Sequence, residues 1–256
     1  MSFNLQKCGD VICKIVDNPR YKNKKVSLCK DKLDDEKDDI KQYEEMKLTT
    51  GMFQLIPDKN KDRVTMYVTG SAGSGKSYFV AKYCIEYHNT FPDNEIYLIS
   101  ENDEDKVFDD LAYIKRVIID DLHTDPLDWK EFKDCLIVFD DIDSIKNKLG
   151  KTINELRDKV LKNSRKFHVS VISTAHNSTG LDLKSVLNES QIIVFFLSNY
   201  SRGLKYLLEN YIGMSRKGVD KLRKLTDSRW TAIIKNYPNV LLQEKYITTM
   251  NKFDNF

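Results

Sequence analysis

Long apolar stretches are missing from this chain of 256 residues. The longest uninterrupted run, IIVFFL at 192–197, has six residues, whereas a helix that spans a membrane needs about 20. The N-terminal sequence MSFNLQKCGDVICK lacks the apolar segment of a secretory signal. We therefore expect a soluble protein without a membrane span, located in a reducing compartment.

Cysteine is scarce, and no charge of one sign dominates. The five cysteines are an odd number, and Cys84 and Cys135 fall in apolar segments, so a disulfide framework is not indicated. Lys and Arg number 41 against 39 Asp and Glu, so the net charge of +2 identifies no partner.

The distribution of charge is uneven along the chain. Residues 93–143 contain 17 acidic and 5 basic side chains, whereas 146–184 contain 9 basic and 3 acidic, and 202–224 contain 7 basic and 2 acidic. A basic C-terminal half would attract a polyanion, although solvated helix faces explain any single cluster equally well.

Internal repeats and low-complexity tracts are absent, and short apolar runs alternate instead with helix-like segments from Arg63 onward. The strand candidates are RVTMYV (63–68), EIYLIS (95–100), RVIID (116–120), CLIVFD (135–140), HVSVIST (168–174) and QIIVFF (191–196). Helices are expected at about 76–88, about 152–163 and near 182–187. This alternation predicts a mostly parallel sheet with helices on both faces.

The segment GSAGSGKS at 70–77 satisfies the pattern G-x-x-x-x-G-K-[ST] between a strand and a helix. Small residues let the backbone curl so that its N–H groups and the helix N-terminus face phosphate oxygens. Lys76 would reach the β- and γ-phosphates of ATP, and the Ser77 hydroxyl would hold Mg²⁺. The predicted nucleotide-binding residues are Gly70, Ser71, Ala72, Gly73, Ser74, Gly75, Lys76, Ser77 and Tyr78.

Two consecutive carboxylates end the strand CLIVFD. An acid in this position supports Mg²⁺ in P-loop NTPases, a role we assign to Asp140. We expect Asp141 to orient or deprotonate the attacking water, with a helix cap as the alternative. For Asp143 we favour the cap.

The stretch NSRKFHVSVISTAHN at 163–177 has polar residues at both ends of a strand. If this strand lies beside CLIVFD, its C-terminal end approaches the γ-phosphate. His176 or Asn177, with Thr174 behind them, would then sense that phosphate, unless they cap the next helix. Arg165 lies at the opposite end, where it would serve an adjacent subunit as a catalytic cation or interact with a helix C-terminus.

These three segments together resemble the genome-packaging ATPases of large DNA viruses, the poxvirus type within the FtsK/HerA branch of P-loop motors. The likeness extends over roughly 60–240. It implies a trans-acting role for Arg165, although the family has Asn-Gly-Arg-His where this chain has NSRK at 163–166. The family also places glutamine where this chain has His176.

The expected fold class is α/β, a P-loop NTPase of the ASCE/RecA-like type with a mostly parallel sheet, flanking helices and a C-terminal β-hairpin turned near 237–239. We expect an N-terminal extension at 1–60, with a charge-dense part at 30–48. A P-loop ATPase domain at 61–245 and a tail at 246–256 would follow.

The leading functional hypothesis is an ATPase that packages viral double-stranded DNA. The resemblance implies a homo-oligomeric ring, commonly a pentamer or hexamer, and portal or capsid vertex partners. It also implies a location in the host cytoplasm, at the viral factory, with the virion as a second location. A helicase or an AAA-like replication factor is the alternative, and a nucleotide-binding module without turnover is a third reading. A P-loop kinase fits least, because the paired acids favour hydrolysis and no Arg-rich lid is evident.

Overall fold

The computed structural model describes residues 1–5, 9–29, 41–123, 126–145, 147–225 and 227–254. Most of the charge-dense stretch and Lys146 of the first basic cluster lie outside these residues. Within them, the strands are β1 Ser2–Asn4, β2 Asp10–Val16, β3 Lys25–Cys29, β4 Glu45–Lys47, β5 Met52–Leu55, β6 Thr65–Thr69, β7 Glu95–Ser100, β8 Ile114–Val117, β9 Cys135–Asp140, β10 Ser170–Ala175, β11 Ile192–Phe195, β12 Thr231–Ile234, β13 Val240–Gln243 and β14 Tyr246–Thr249.

The α-helices in the described part of the chain are α1 Lys76–Thr90, α2 Lys106–Asp109, α3 Lys148–Asn163, α4 Lys184–Glu189, α5 Arg202–Tyr206, α6 Arg216–Arg223 and α7 Met250–Asp254. A π-helical turn, Leu207–Tyr211, continues α5. None of the helices so described combines the length and the apolar character needed to cross a membrane.

The central sheet has ten strands in the order β4-β14-β13-β12-β11-β6-β10-β9-β7-β8. The six strands from β11 to β8 are parallel, and the other four extend the sheet in antiparallel fashion. Every residue of β6, β9 and β10 is buried, as expected for strands covered on both faces. The predicted parallel sheet and the C-terminal hairpin, formed by β12 and β13, are confirmed.

Helices cover the two faces of this sheet. On one face α1 packs through Val80 and Cys84 against Val68 and Ile172. On the other, α3 packs through Ile153 and Val160 in the core that contains Tyr67 and Phe139 of the neighbouring strands. The strands β9, β10 and β6 therefore lie in the middle of the molecule, with their carboxyl ends at one edge.

The start of α3 differs from the prediction. It begins at Lys148 because the side chain of Asn147 accepts a hydrogen bond from the backbone N–H of Gly150 at 3.0 Å. The predicted cap at Asp143 is therefore wrong. Asp143 lies inside a short 3₁₀ turn, Ile142–Ser144, that precedes the helix.

The N-terminal residues form a second, antiparallel sheet in the order β1-β3-β2-β5. Its apolar side chains, including Ile15 and Phe53, join the same core as α1. Lys14 on β2 also forms an ion pair with Glu86 on α1, at 2.7 Å. The predicted boundaries at 60 and 245 stay predictions, although β4 pairs with β14 beyond the second of them.

Candidate nucleotide-binding site

The phosphate loop at 70–75 joins the end of β6 to the first turn of α1. Gly73 and Gly75 have φ angles of +73° and +102°, which favour glycine over residues with a Cβ atom. Gly75 caps α1, so the loop delivers Lys76 and Ser77 as the first residues of the helix. Ser71 and Ala72 form the exposed outer turn, closed by the Ser74 N–H donating to the Ser71 carbonyl at 3.2 Å.

Lys76 is the cationic centre of the site and is only 6% exposed. Its Nζ donates to the carbonyl oxygen of Gly70 at 2.9 Å and lies 3.4 Å from Oδ2 of Asp141. It also lies 3.3 Å from Nδ1 of His176. The structure therefore brings together the predicted lysine, second carboxylate and histidine.

The orientation of the histidine ring follows from these contacts. Lysine offers only donors, so Nδ1 of His176 is the acceptor toward Lys76. The other ring nitrogen, Nε2, lies 3.2 Å from Oδ2 of Asp141 and donates to it. His176 thus links the lysine to the carboxylate, and its ring is 42% exposed.

Asp140 lies at the end of β9 and is buried. Burial raises the pKa of its carboxyl, and the nearby charge of Asp141 raises it further. Its oxygens accept from the hydroxyl of Thr174 at 2.9 Å and from that of Ser100 at 3.4 Å. A buried carboxylate with hydroxyl partners at this place is suited to supporting a cation.

The two carboxylates point differently because the backbone changes direction between them. Asp141 has φ +49°, in the left-handed region, and starts the 3₁₀ turn. Its side chain makes no capping hydrogen bond, which disfavours the alternative role of Asp141 as a helix cap. Oδ1 of Asp141 instead lies 3.0 Å from the Thr174 hydroxyl.

Thr174 connects the two acids more directly than the sequence suggested. Its Oγ1 accepts the backbone N–H of Asp141 at 2.8 Å and has one proton to donate to either Asp140 or Asp141. Sequence reasoning placed Thr174 behind His176 and missed Ser100 altogether. The signal for Ser100 is the register of the sheet, which pairs it with Asp140.

A buried tyrosine holds the loop that follows β10. The Tyr67 hydroxyl donates to the backbone carbonyl of Asn177, and burial raises the pKa of this phenol, so that it keeps its proton. The Asn177 carbonyl therefore serves to fix the loop next to His176.

Arg165 lies at the other end of β10, away from Lys76 and Asp141. Its side chain is 74% exposed and pairs with Asp62 at 3.4 Å. The end of α3 is occupied by a different cation, since Arg63 donates to the carbonyls of Leu161 at 2.8 Å and Val160 at 3.4 Å. The arrangement therefore disfavours the alternative that Arg165 serves the C-terminus of α3.

The predicted metal ligands fit Mg²⁺ by their chemistry. Among the described residues, no group of three or more His, Cys, Asp or Glu side chains forms a cage for a metal ion. Mg²⁺ in nucleotide sites commonly uses one or two protein oxygens together with substrate phosphates and water. Asp140 and the partly exposed Ser77, at the carboxyl edge of the sheet, match that pattern.

Comparisons with known proteins indicate the family and the fold of the chain. Residues 66–140 match a protein-family model described as RNA helicase. The uncharacterized protein V3 of Sputnik virophage is 32% identical over 255 residues, covering 98% of this chain and all of that protein. The chain belongs to the V3 family.

Two solved structures share the fold of this V3-family chain. B204, the DNA-packaging ATPase of Sulfolobus turreted icosahedral virus, is 18% identical with a TM-score of 0.50, covering 72% of this chain and 98% of B204. The cytoplasmic domain of the type VII secretion ATPase EccC from Thermomonospora curvata is 12% identical with a TM-score of 0.54, covering 78% and 28%. The predicted P-loop NTPase fold class is confirmed, and the poxvirus-type and FtsK/HerA resemblance stays a prediction.

Proposed function

We propose that this protein hydrolyses ATP and uses the energy to move double-stranded DNA into a viral capsid. The observation that carries the proposal is a cluster of three side chains beside the phosphate loop. Nζ of Lys76 lies 3.4 Å from the Asp141 carboxylate and 3.3 Å from the His176 ring, and that ring lies 3.2 Å from the same carboxylate. A binding module without turnover needs the loop and the lysine but has no need of a second carboxylate held beside them.

The chemistry assigned to these residues is phosphoryl transfer to water. A water oxygen attacks the γ-phosphorus while the bond from that phosphorus to the bridging oxygen of ADP breaks. Asp141 accepts the proton of the water, and Lys76 stabilises the charge on the β- and γ-phosphate oxygens. His176, hydrogen-bonded to Asp141, registers whether the γ-phosphate is present.

Ser77 and Asp140 are the residues assigned to Mg²⁺. The ion, when bound, neutralises charge on the phosphate oxygens. Thr174 and Ser100 keep the Asp140 carboxylate oriented through their hydroxyls. These contacts come from neighbouring strands, so the sheet itself positions the acid.

Arg165 supports assembly into a ring. An exposed arginine remote from its own phosphate loop is available to a neighbouring subunit, where such a group accelerates phosphoryl transfer by about 10³–10⁵. The ion pair between Arg165 and Asp62 joins two exposed groups and is therefore weak, so a phosphate can readily replace Asp62 as the partner of the arginine. The proposed motor is therefore a homo-oligomer. A portal or capsid vertex protein as its partner rests on the resemblance to packaging ATPases alone.

The proposed DNA-binding surface consists of exposed cations on the C-terminal half. They are Lys148, Lys151, Lys159, Lys162, Lys166 and Lys184 in the first cluster, and Arg202, Lys205, Arg216, Lys217, Arg223 and Lys224 in the second. Cations of this kind contact phosphates without reading the base sequence, as packaging of a whole genome requires.

The test is ATPase activity measured with and without blunt double-stranded DNA, together with the mass of the assembly in solution. We expect oligomers whose turnover rises with DNA and falls again as salt is added. Full turnover in a strict monomer, unaffected by DNA, would contradict the proposal.

A helicase is the second candidate, favoured by the family-model match over 66–140. The two activities separate on a forked duplex. A helicase releases single strands from it, whereas a packaging motor moves along blunt duplex without separating the strands.

A further inference from the structure

A cavity of about 570 Å³ lies beside the phosphate loop, on the side away from the paired carboxylates. Residues 73–75 and Tyr78 form one wall, and Val16 with β5 of the N-terminal sheet forms the opposite wall. Neither Asp140 nor Asp141 lines it. The volume falls within the range of about 300–1,000 Å³ found for small-molecule sites.

The position of the cavity matches the direction of a bound nucleotide. The γ-phosphate belongs at Lys76 and Asp141, on one side of the loop. A nucleotide whose phosphates follow the loop past 73–75 then directs its nucleoside into this cavity. The nucleoside is attached to the end of the phosphate chain that lies past 73–75.

Aromatic side chains line the inner part of the cavity. Phe196 packs directly under the loop, where a Cβ atom on Gly75 would lie 3.6 Å from its ring. Trp230 contacts Phe79 of α1 edge-on, with ring centroids 5.1 Å apart. These buried rings offer flat apolar surface to a planar base.

Tyr78 is the aromatic residue that remains accessible, at 50% exposure. Lys82 Nζ lies 5.3 Å and the guanidinium carbon of Arg229 6.0 Å from the centroid of its ring. A nucleobase can stack on such a ring because every base has a π-face. Both cations line the cavity, where Arg229 also pairs with Glu244 at 3.0 Å.

The wall from the N-terminal sheet is held in place before any ligand binds. Glu86 of α1 accepts from Lys14 at 2.7 Å and from the side-chain amide of Gln54 at 3.4 Å. The backbone N–H of Phe53 donates to the carbonyl of Glu244 at 2.6 Å. A prearranged wall lowers the entropic cost of binding.

We propose that the N-terminal sheet completes a nucleoside subsite, in which the base lies between Tyr78 and the β5 residue Met52. The inference rests on the proposed ATPase function and extends it. It gives residues 1–60 a role in nucleotide binding that no motif in them indicates.

The experiment compares the binding of ATP and of inorganic tripolyphosphate by calorimetry in the full chain. The variants are Tyr78→Ala, which removes the stacking ring, and Met52→Trp, which fills the cavity from the opposite wall. Lys22→Trp, in the exposed turn after β2, adds the same bulk to the same sheet outside the cavity. Circular dichroism and thermal melting verify that each variant is folded.

We expect Tyr78→Ala and Met52→Trp to bind ATP at least about tenfold more weakly than the wild type. Their affinity for tripolyphosphate should not change, and Lys22→Trp should match the wild type for both ligands. Unchanged ATP affinity in both cavity variants, with tripolyphosphate still bound, overturns the subsite alone. A wild-type protein that binds neither ATP nor tripolyphosphate overturns the proposed function as well.

Discussion

The hydroxyl of Thr174 lies within 3.0 Å of a carboxylate oxygen of both Asp140 and Asp141, with a single proton to share. Thr174→Val keeps the shape of the side chain and removes that hydroxyl. We expect a fall in ATP turnover of about tenfold and a loss of about 1 kcal/mol in the free energy of unfolding. Steady-state hydrolysis and chemical denaturation measure the two effects.

The neighbouring residue supplies the control. Ser173 is buried on the opposite face of β10, and its Oγ has no hydrogen-bond partner among the residues that the structure describes. Ser173→Ala should therefore leave turnover nearly unchanged. An equal loss of turnover in both variants would assign the effect to the strand instead of the Thr174 hydroxyl.

Asp141→Asn tests the proposed acceptor of the water proton. The amide retains the size of the side chain but cannot take up a proton, so turnover should fall by about 10²–10⁴. ATP binding, measured separately by calorimetry, should persist because the phosphate loop is intact. Unchanged turnover would remove Asp141 from the mechanism.

Asp140→Asn should stabilise the protein without nucleotide while it abolishes activity. The pKa of the Asp140 carboxyl is raised by burial, so ionisation favours the unfolded chain. We expect a gain at neutral pH within the range of about 0.5–2 kcal/mol typical of stabilising substitutions. Thermal melts as a function of pH provide the measurement.

The sign of the pH dependence follows from the raised pKa. At a pH below the ordinary pKa of aspartate, Asp140 carries its proton in both the folded and the unfolded wild type. The stability gained by Asp140→Asn should therefore vanish there. As the pH rises, the unfolded chain ionises first and the wild type loses stability relative to the variant. A gain that is independent of pH would contradict burial of the charge as its cause.

Contiguous motifs made part of the site predictable. The loop at 70–77 and the paired acids are short contiguous patterns. The chemistry of each can therefore be recognised from the sequence alone. Ser100 escaped prediction because its contact with Asp140 depends on which strands are neighbours. The spacing of residues along the chain does not show which residues of neighbouring strands lie side by side.

At the scale of elements, the ion pair between Lys14 and Glu86 joins the N-terminal sheet to α1. Both side chains are largely buried, at 18% and 13% exposure. A double-mutant cycle with Lys14→Met and Glu86→Gln should give a coupling energy of about 1 kcal/mol in unfolding. The surface pair Lys115 and Glu95, at 59% and 45% exposure, is the matched control and should give less than about 0.5 kcal/mol.

A coupling no larger than that of the surface pair would contradict firm docking of the sheet on α1. Such a result would also weaken the nucleoside subsite, whose far wall depends on this attachment.

Most parallel strands of the central sheet followed closely from the sequence, because runs such as CLIVFD are apolar throughout and buried on both faces. The strand predicted at 116–120 is displaced from the observed β8, Ile114–Val117. The strands of the N-terminal sheet could not be predicted in this way. These strands are mixed in polarity, as in DVICKIV of β2, and no helices alternate with them in the described part of the chain. Pairing of β4 with β14 joins residues about 200 positions apart, so no local pattern predicts it.

At the scale of the whole molecule, Arg165 allows a test of the ring. If it acts on a neighbour, Arg165→Ala and Asp141→Asn are each inactive alone, yet mixing them restores activity. In equal mixtures about a quarter of the interfaces combine an intact Asp141 with an intact Arg165 from the next subunit. ATPase assays of the mixture against each variant measure the recovery.

Lys133→Ala is the control, since it removes an exposed cation that lies outside both the nucleotide site and the proposed DNA-binding surface, and it should keep activity without mixing. If the two inactive variants form mixed oligomers and recover nothing, Arg165 does not act in trans.

One of the two edge strands of the central sheet, β4, comes from the N-terminal part of the chain and pairs with β14. A shortened chain that begins at residue 61 would leave the N–H and C=O groups of β14 facing solvent. Bare strand edges of this kind recruit other chains and promote aggregation. The N-terminal part of the chain thus also protects the edge of the central sheet from pairing with other chains.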